Sequence, residues 1–236
     1  MVDGEKQISK DSGRLLVMGD VHGHYEKMVR VIEYCGYRPG IDQLVLLGDY
    51  VDRGPDSRRV ASEVLNLAKT GAVALYGNHE DMMCRALKNR NIGRLGSDDL
   101  EQWLSNGGET TLRSYRAHSS ELDAHLKFFS QRPSWFENKG FVFVHAGIRP
   151  GRAMNEQSLH DMIWIRDEYI MGYKGPWNIV TGHTPTQYLG KIGLYQDVID
   201  FSKPVVRNHK FFIDTGVAWR GLLTVMELMS GEIWQA

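Results

Sequence analysis

Six short apolar runs, rich in β-branched residues, each stop at a glycine or a polar cluster, and this repeated break governs what the chain can fold into. They read RLLVM-GDVHGHY, QLVLL-GDYVDRG, AVALY-GNHED, FVFV-HAGI, NIV-TGHTP and KFFI-DTG. Such runs, without polar alternation and ended this sharply, predict strands buried on both faces. Helical patterns lie between the first three. Tyr25–Cys35 places Met28, Val29, Ile32 and Cys35 on one stripe, and Ser57–Ala68 does the same with Val60, Val64 and Leu67. Strand–helix–strand–helix–strand over the first ~80 residues predicts βαβ units in an α/β sheet. Residues 81–139 break that rhythm. They hold helix-like segments at Asp98–Ser105 and Ser120–Phe129, a Gly107-Gly108 break and no convincing strand, and so read as a helical insertion between the third and fourth strands. Short strands and turns return over 178–234, with Leu222–Leu228 and Glu232–Trp234 as the last two. No repeat, low-complexity stretch or Pro-rich linker marks a boundary, so residues 1–236 are expected to form one domain.

Composition narrows the function classes. Lys+Arg number 28 against 29 Asp+Glu, a formal net charge of −1, so no basic excess announces a nucleic-acid or acidic-membrane partner. Only two cysteines are present, Cys35 and Cys84, too few for a disulfide framework; a reducing compartment is the expectation. The opening MVDGEKQISKDSGR lacks the apolar stretch of a secretory signal. Apolar runs such as LVLL fall far short of the ~18 residues a membrane span needs. The sequence therefore predicts a soluble, cytoplasmic monomer with no nucleic-acid or membrane partner.

Every polar cluster follows a strand-like run. In open α/β sheets ligands bind beyond the carboxyl ends of the strands, so the clusters are expected to converge in one crevice. Together they supply Asp20, His22, Asp49, Asp52, Arg53, Asn78, His79, His145 and His183. Carboxylate combined with imidazole suits Mn, Fe or Zn better than the all-oxygen sites of Ca or Mg. Asp20 and His22 make one half-site; Asn78, His145 and His183 make a second, and Asp49 is the natural bridge. Two metals ~3.5–4 Å apart can clamp both the attacking and the leaving oxygen of an in-line displacement. Arg53 is a planar, permanently charged fork suited to phosphate oxygens. The inventory points to hydrolysis of a phosphate ester.

The blocks GDVHG, GDYVDRG, GNHE, HAG and GHT, in that order, resemble the signature blocks of the PPP family of metallophosphatases, which contains serine/threonine protein phosphatases and symmetrical diadenosine tetraphosphate hydrolases. The compact length and the ending FIDTGVAWRGLLTVMEL resemble its bacterial and bacteriophage branch. The resemblance implies a metallophosphoesterase-like sandwich of mixed β-sheets flanked by helices, with a helical cap. It implies that Asp20 and His22 hold one divalent metal, that Asp49 bridges, and that Asn78, His145 and His183 hold the other, with Mn favoured and Fe or Zn as alternatives. His79 would be the general acid, oriented and kept protonated by Asp52. Arg53, with Arg166 of IWIRDEY as the family's second arginine, would grip the phosphoryl group while a metal-bridging hydroxide attacks phosphorus directly.

Bland readings hold elsewhere. Arg166 has a rival role as a surface ion pair with Asp167 or Glu168. Glu80 reads as support for the site, His24 as a loop residue, and His118, His125, His160 and His209 as solvated or structural. Asp214 follows a strand as the ligands do, but six ligands are already placed. The six tryptophans read as core or cap packing, and Cys84 as a small buried hydrophobe. Three functions compete: phosphatase on phosphoserine or phosphothreonine proteins, with phosphotyrosine as a further substrate, dinucleoside polyphosphate hydrolase, and non-catalytic binding module. The complete ligand and acid set disfavours the last. Asp52 favours the first, because diadenosine tetraphosphate hydrolases resembling this chain tend to lack that acid.

Overall fold

A computed structural model describes residues 13–88 and 98–236. The first twelve residues and residues 89–97 of the expected insertion lie outside the described residues. Two five-stranded sheets form the core of the fold. In the first, β1 (Leu15–Met18), β2 (Gln43–Leu46) and β3 (Val73–Ala74) run parallel, joined by α1 (Tyr25–Cys35) and α2 (Ser57–Lys69). β9 (Thr224–Glu227) pairs antiparallel with the free edge of β1, and β10 (Ile233–Gln235) with β9. In the second sheet β5 (Phe141–Val144), β6 (Asn178–Thr181) and β8 (Lys210–Phe212) are parallel, flanked by the antiparallel edges β4 (Trp135–Asn138) and β7 (Val205–Arg207).

The unalternated apolar runs are explained by this layering. Leu15, Val17, Val45 and Leu47 face Phe141, Phe143, Val180 and Ile213 of the other sheet. Their neighbours Leu16, Met18, Leu44 and Leu46 pack instead with Met28, Val31, Val60 and Val64 of the covering helices. β1 and β2 thus bury both faces, and polar residues are pushed to their ends. On α1 the buried stripe is Met28, Val31 and Cys35, with Val31 taking the place expected of Val29.

The inserted segment is helical, as expected, but begins earlier: α3 (Asn78–Lys88) starts within the GNHE block itself. α4 (Asp98–Trp103), a kinked turn (Leu104–Gly108) with Gly107 at φ 102°, α5 (Glu109–Ser114) and α6 (Ser119–Phe129) follow. One expectation fails here, because Trp135–Asn138 within 81–139 is a strand. It pairs with β5 through Lys139 and Gly140, both with positive φ (47° and 81°), as a two-residue hairpin turn demands. Among the described residues no helix is long and apolar enough to cross a membrane.

Asp42 staples the start of β2 to the chain before β1. Its carboxylate accepts from the Arg14 amide at 3.0 Å and Arg14 Nη2 at 2.8 Å, and from Arg38 Nη2 at 2.7 Å. Burial alone would raise this carboxyl, but the Arg38 and Arg14 guanidinium groups outweigh it and hold it well below the usual range. A depressed carboxyl stabilises the fold above its unfolded-state value, and that stabilisation fades as pH falls through the folded-state value. Asp42→Asn should therefore cost about 1–3 kcal/mol at pH 7 and distinctly less at pH 3. Urea denaturation at the two pH values measures this, and an equal loss at both would contradict it.

Candidate metal centre and active site

The carboxyl ends of the parallel strands of both sheets meet in one cleft. Asp20 and His22 follow β1, Asp49 with Asp52 and Arg53 follows β2, Asn78 and His79 open α3, His145 follows β5 and His183 follows β6. All nine except Arg53 are buried. The expected convergence is therefore present in the described structure.

Asp49 lies between two imidazole groups. Its Oδ2 is 3.6 Å from His22 Nε2, and its Oδ1 is 3.3 Å from His145 Nε2. Two clusters of potential ligand atoms share it, His22–Asp49–His79 and Asp49–His145–His183. Asp20 Oδ2 stands 4.0 Å from His22 Nε2, and both Asp20 oxygens accept the His183 amide at 3.0–3.1 Å. A Cβ on Gly182 would lie 2.1 Å from Asp20 Oδ1, so only glycine lets this carboxylate approach the β6 loop so closely.

The ring nitrogens are sorted by their backbone bonds. Val51 O lies 3.0 Å from His22 Nδ1 and Leu47 O lies 2.8 Å from His145 Nδ1, which assigns the protons there and leaves both Nε2 lone pairs facing the cleft. Asn78 Oδ1 sits 2.9 Å from His145 Nε2 and 2.9 Å from His183 Nδ1. His183 Nε2 is buried with no hydrogen-bond partner. Lone pairs converging with too few protons between them are costly unless a cation lies among them. Burial pushes the imidazoles of His22, His145 and His183 below their ordinary range. It pushes Asp20 well above its own. Burial thus disfavours charge on these four groups, whereas around Asp49 the imidazoles outweigh burial and hold its carboxyl below the usual range; a divalent cation would reverse the balance for Asp20. The oxygen and nitrogen donors fit two such ions.

The backbone here is strained. His22, Asp49, Asp52, Arg53 and His183 all have positive φ, at 44°, 53°, 73°, 67° and 62°. Such conformations in residues other than glycine persist only where surrounding structure imposes them. Glu80 supplies part of that imposition. Its Oε2 accepts the Asp49 and Gly77 amides at 2.8 and 3.2 Å, and its Oε1 accepts the Tyr50 and Val51 amides at 2.8 and 3.2 Å. Four donors require a carboxylate, because a Gln side chain would point its own N–H groups at two of them. Glu80→Gln should cost roughly 3 kcal/mol or more, given the 1.5–3 kcal/mol typical of a single bond to a charged group. Chemical denaturation measures it; a loss under ~1 kcal/mol would mean that these amides do not need the charge.

His79 turns away from its neighbour Asn78. Its Nδ1 is 2.7 Å from Asp52 Oδ2, while its Nε2 faces the cleft 3.9 Å from Asp49 Oδ2. Arg53 Nη1 is 2.8 Å from His22 Nε2. Arg166 Nη1 donates to Thr184 Oγ1 at 3.2 Å, and its neighbours in charge are Asp214, Asp20 and Asp49. The expected rival pairing is taken by others: Glu168 pairs with Arg149, and Asp167 accepts from the Tyr188 hydroxyl.

Three residues gain importance beyond their sequence reading. Asp214, set aside because six ligands were placed, is buried in the site, where burial and the Asp49 carboxylate push its carboxyl up to about 6. The FIDTG block was its signal. Trp219 is 67% exposed, with the Arg53 guanidinium 5.2 Å from its ring centroid, so the expectation of pure packing fails for it. Trp103 is buried as expected, yet its indole N–H reaches both Asp52 oxygens at 3.0 Å. His24 stands at the N-cap position of α1 without a side-chain capping bond, its Nδ1 instead 2.7 Å from the His22 carbonyl.

Residues 13–219 match the family model described as calcineurin-like phosphoesterase. The chain is 29% identical over 231 residues to the serine/threonine-protein phosphatase 1 of Salmonella typhimurium strain LT2, covering 93% of this chain and 94% of that protein. It is 27% identical over 249 residues to the asymmetrical bis(5'-nucleosyl)-tetraphosphatase PrpE of Bacillus cereus strain Q1, covering 92% and 91%. Among solved structures, one provisionally described as a diadenosine tetraphosphatase superposes with a TM-score of 0.70 at 19% identity, over 98% of this chain and 96% of that one.

Proposed function

The chain belongs to the calcineurin-like phosphoesterase family, and from that premise we propose that it is a phosphomonoesterase acting on phosphoserine and phosphothreonine in proteins, with phosphotyrosine as a further substrate. The observation that carries this reading is the pair His79–Asp52, joined at 2.7 Å with both side chains buried. A departing serine or threonine oxygen is a poor leaving group and needs a proton in the transition state. A nucleotide phosphate leaves readily without one. A buried carboxylate that orients an imidazole toward the cleft is most useful for the first class.

Asp20, His22 and Asp49 would hold one divalent cation, and Asp49, Asn78, His145 and His183 the other. Nitrogen donors in both half-sites favour Mn, with Fe or Zn as alternatives, over Mg. When bound, the ions supply a nucleophilic water ionised near neutral pH and neutralise phosphoryl charge. Arg53 and Arg166, entering from opposite sheets, grip the phosphoryl oxygens and set the in-line orientation. His79 Nε2 donates its proton to the departing oxygen, and Asp52 holds the ring by Nδ1 throughout.

Hydrolysis of dinucleoside polyphosphates is the second reading, favoured by the names of the Bacillus cereus relative and the solved neighbour. A substrate panel with Mn-loaded protein separates the two. The phosphatase reading expects higher kcat/KM for phosphoserine and phosphothreonine peptides than for diadenosine tetraphosphate. The reverse order would overturn it.

A further inference from the structure

The Asp52 carboxylate is held by more than His79. Trp103 Nε1–H lies 3.0 Å from each of its oxygens, and Thr111 Oγ1 is 2.6 Å from Oδ1. The Asp52 amide donates to the hydroxyls of Thr111 at 2.9 Å and Ser57 at 3.0 Å. Asp52 itself is completely buried, as is the Trp103 side chain. Thr111 thus engages Oδ1 and His79 engages Oδ2, with the indole N–H bridging both oxygens.

These groups arrive from the inserted helical segment. Trp103 ends α4, Thr111 lies on α5, and the kinked turn between them packs Gly107 against Arg53 of the loop that carries Asp52. The Arg53 amide donates to Gly107 O at 3.3 Å. A Cβ on Gly108 would stand 2.6 Å from the Trp103 ring, so the turn can close on the indole only with glycine there.

A carboxylate has two equivalent oxygens and rotates readily about its Cβ–Cγ bond unless both are engaged. In a dry pocket each unfilled oxygen would also seek another donor. With Trp103 and Thr111 in place, the only remaining direction for Oδ2 is toward His79 Nδ1. We propose that Trp103 and Thr111 are positioning residues which lock Asp52, and through it His79, so that the inserted segment fits this site for esters with poor leaving groups. The proposal rests on the reading of His79 as general acid given above. Both side chains are fully buried, so neither makes a direct contact with substrate.

The experiment compares a phosphoserine peptide with p-nitrophenyl phosphate, whose leaving group needs little protonation. Trp103→Phe keeps the packed ring and removes the donor. Thr111→Val keeps the shape and removes the hydroxyl, and Thr111→Ser restores it. Changing a group that orients a catalytic side chain is expected to cost about 10–100-fold. That loss should fall on kcat for the peptide with KM unchanged, while p-nitrophenyl phosphate turnover changes by less than about 3-fold, as Brønsted behaviour requires. Thr111→Ser should recover most of the peptide activity. Should Trp103→Phe fail to fold, the Thr111→Val and Thr111→Ser pair decides alone.

A merely structural role would depress both substrates alike, and no positioning role would leave both untouched; either outcome overturns the proposal. His79→Asn in the same series separates the two levels. If it shows the substrate split and the Trp103 and Thr111 variants do not, the positioning role falls and the acid role stands. If it shows no split, both fall together.

Discussion

Asp49→Asn should abolish measurable turnover while leaving the protein folded. Among the described residues, Asp49 is the side chain shared by both candidate ligand clusters, its oxygens 3.6 Å from His22 and 3.3 Å from His145. Its loss is expected to exceed the ~10–100-fold that altering an outer partner of a metal ligand costs, and to exceed the loss from Asn78→Ala, which touches one half-site. A readout independent of activity is available in metal content. Wild-type protein should take up two Mn per chain, and the variant should fall below one at equal free Mn. Metal binding selective for the native state also raises thermal stability, by about 2.7 kcal/mol at a hundred times Kd, and the variant should lose that increment. Exhaustive EDTA dialysis should silence the wild type, with Mn restoring it better than Mg. Full activity in protein shown by metal analysis to be empty would overturn the two-metal reading.

His79→Asn should slow phosphoserine-peptide hydrolysis by about 10²–10⁴-fold, the span of general acid catalysis. Asparagine can still bond to Asp52 but cannot deliver a proton at the position of Nε2. Hydrolysis of p-nitrophenyl phosphate should suffer distinctly less, because nitrophenolate departs without assistance. Asp52→Asn should show the same split. Steady-state kinetics on the two substrates measures it, and equal losses on both would remove the acid role from His79.

Much of this site was legible in the sequence because strands buried on both faces leave nowhere for polar residues except their ends. That rule alone placed Asp20, Asp49, Asn78, His145 and His183 in one crevice, and the described structure brings them together. What escaped the sequence has equally physical causes. The strand Trp135–Asn138 carries Glu137 and Asn138 on an edge that is only partly buried, so it lacks the apolar signature of the central strands. Val31 rather than Val29 joins Met28 and Cys35 on the buried face, at the i, i+3 and i+7 spacing of one stripe, whereas Val29 lies about 100° round the helix from Met28. The contact of Trp103 with Asp52 joins residues 51 positions apart, through an insertion whose docking no local pattern encodes. Asp214 was visible as a carboxylate after a strand, but counting ligands concealed it.

The left-handed backbone at His22, Asp49, Asp52, Arg53 and His183 has an evolutionary consequence. Conformations of this sort cost on the order of 1–3 kcal/mol each, against a total stability of roughly 5–15 kcal/mol for an ordinary domain. Glycine would relieve the strain at any of these positions and would destroy the chemistry there. A gene copy freed from selection for turnover would therefore run downhill, its protein melting at higher temperature as its activity disappeared. Silent descendants of such a chain should be recognisable by glycine at the position of Arg53, on an otherwise intact and sturdier fold; at Asp52 the stranded indole, hydroxyl and imidazole donors would offset the relief.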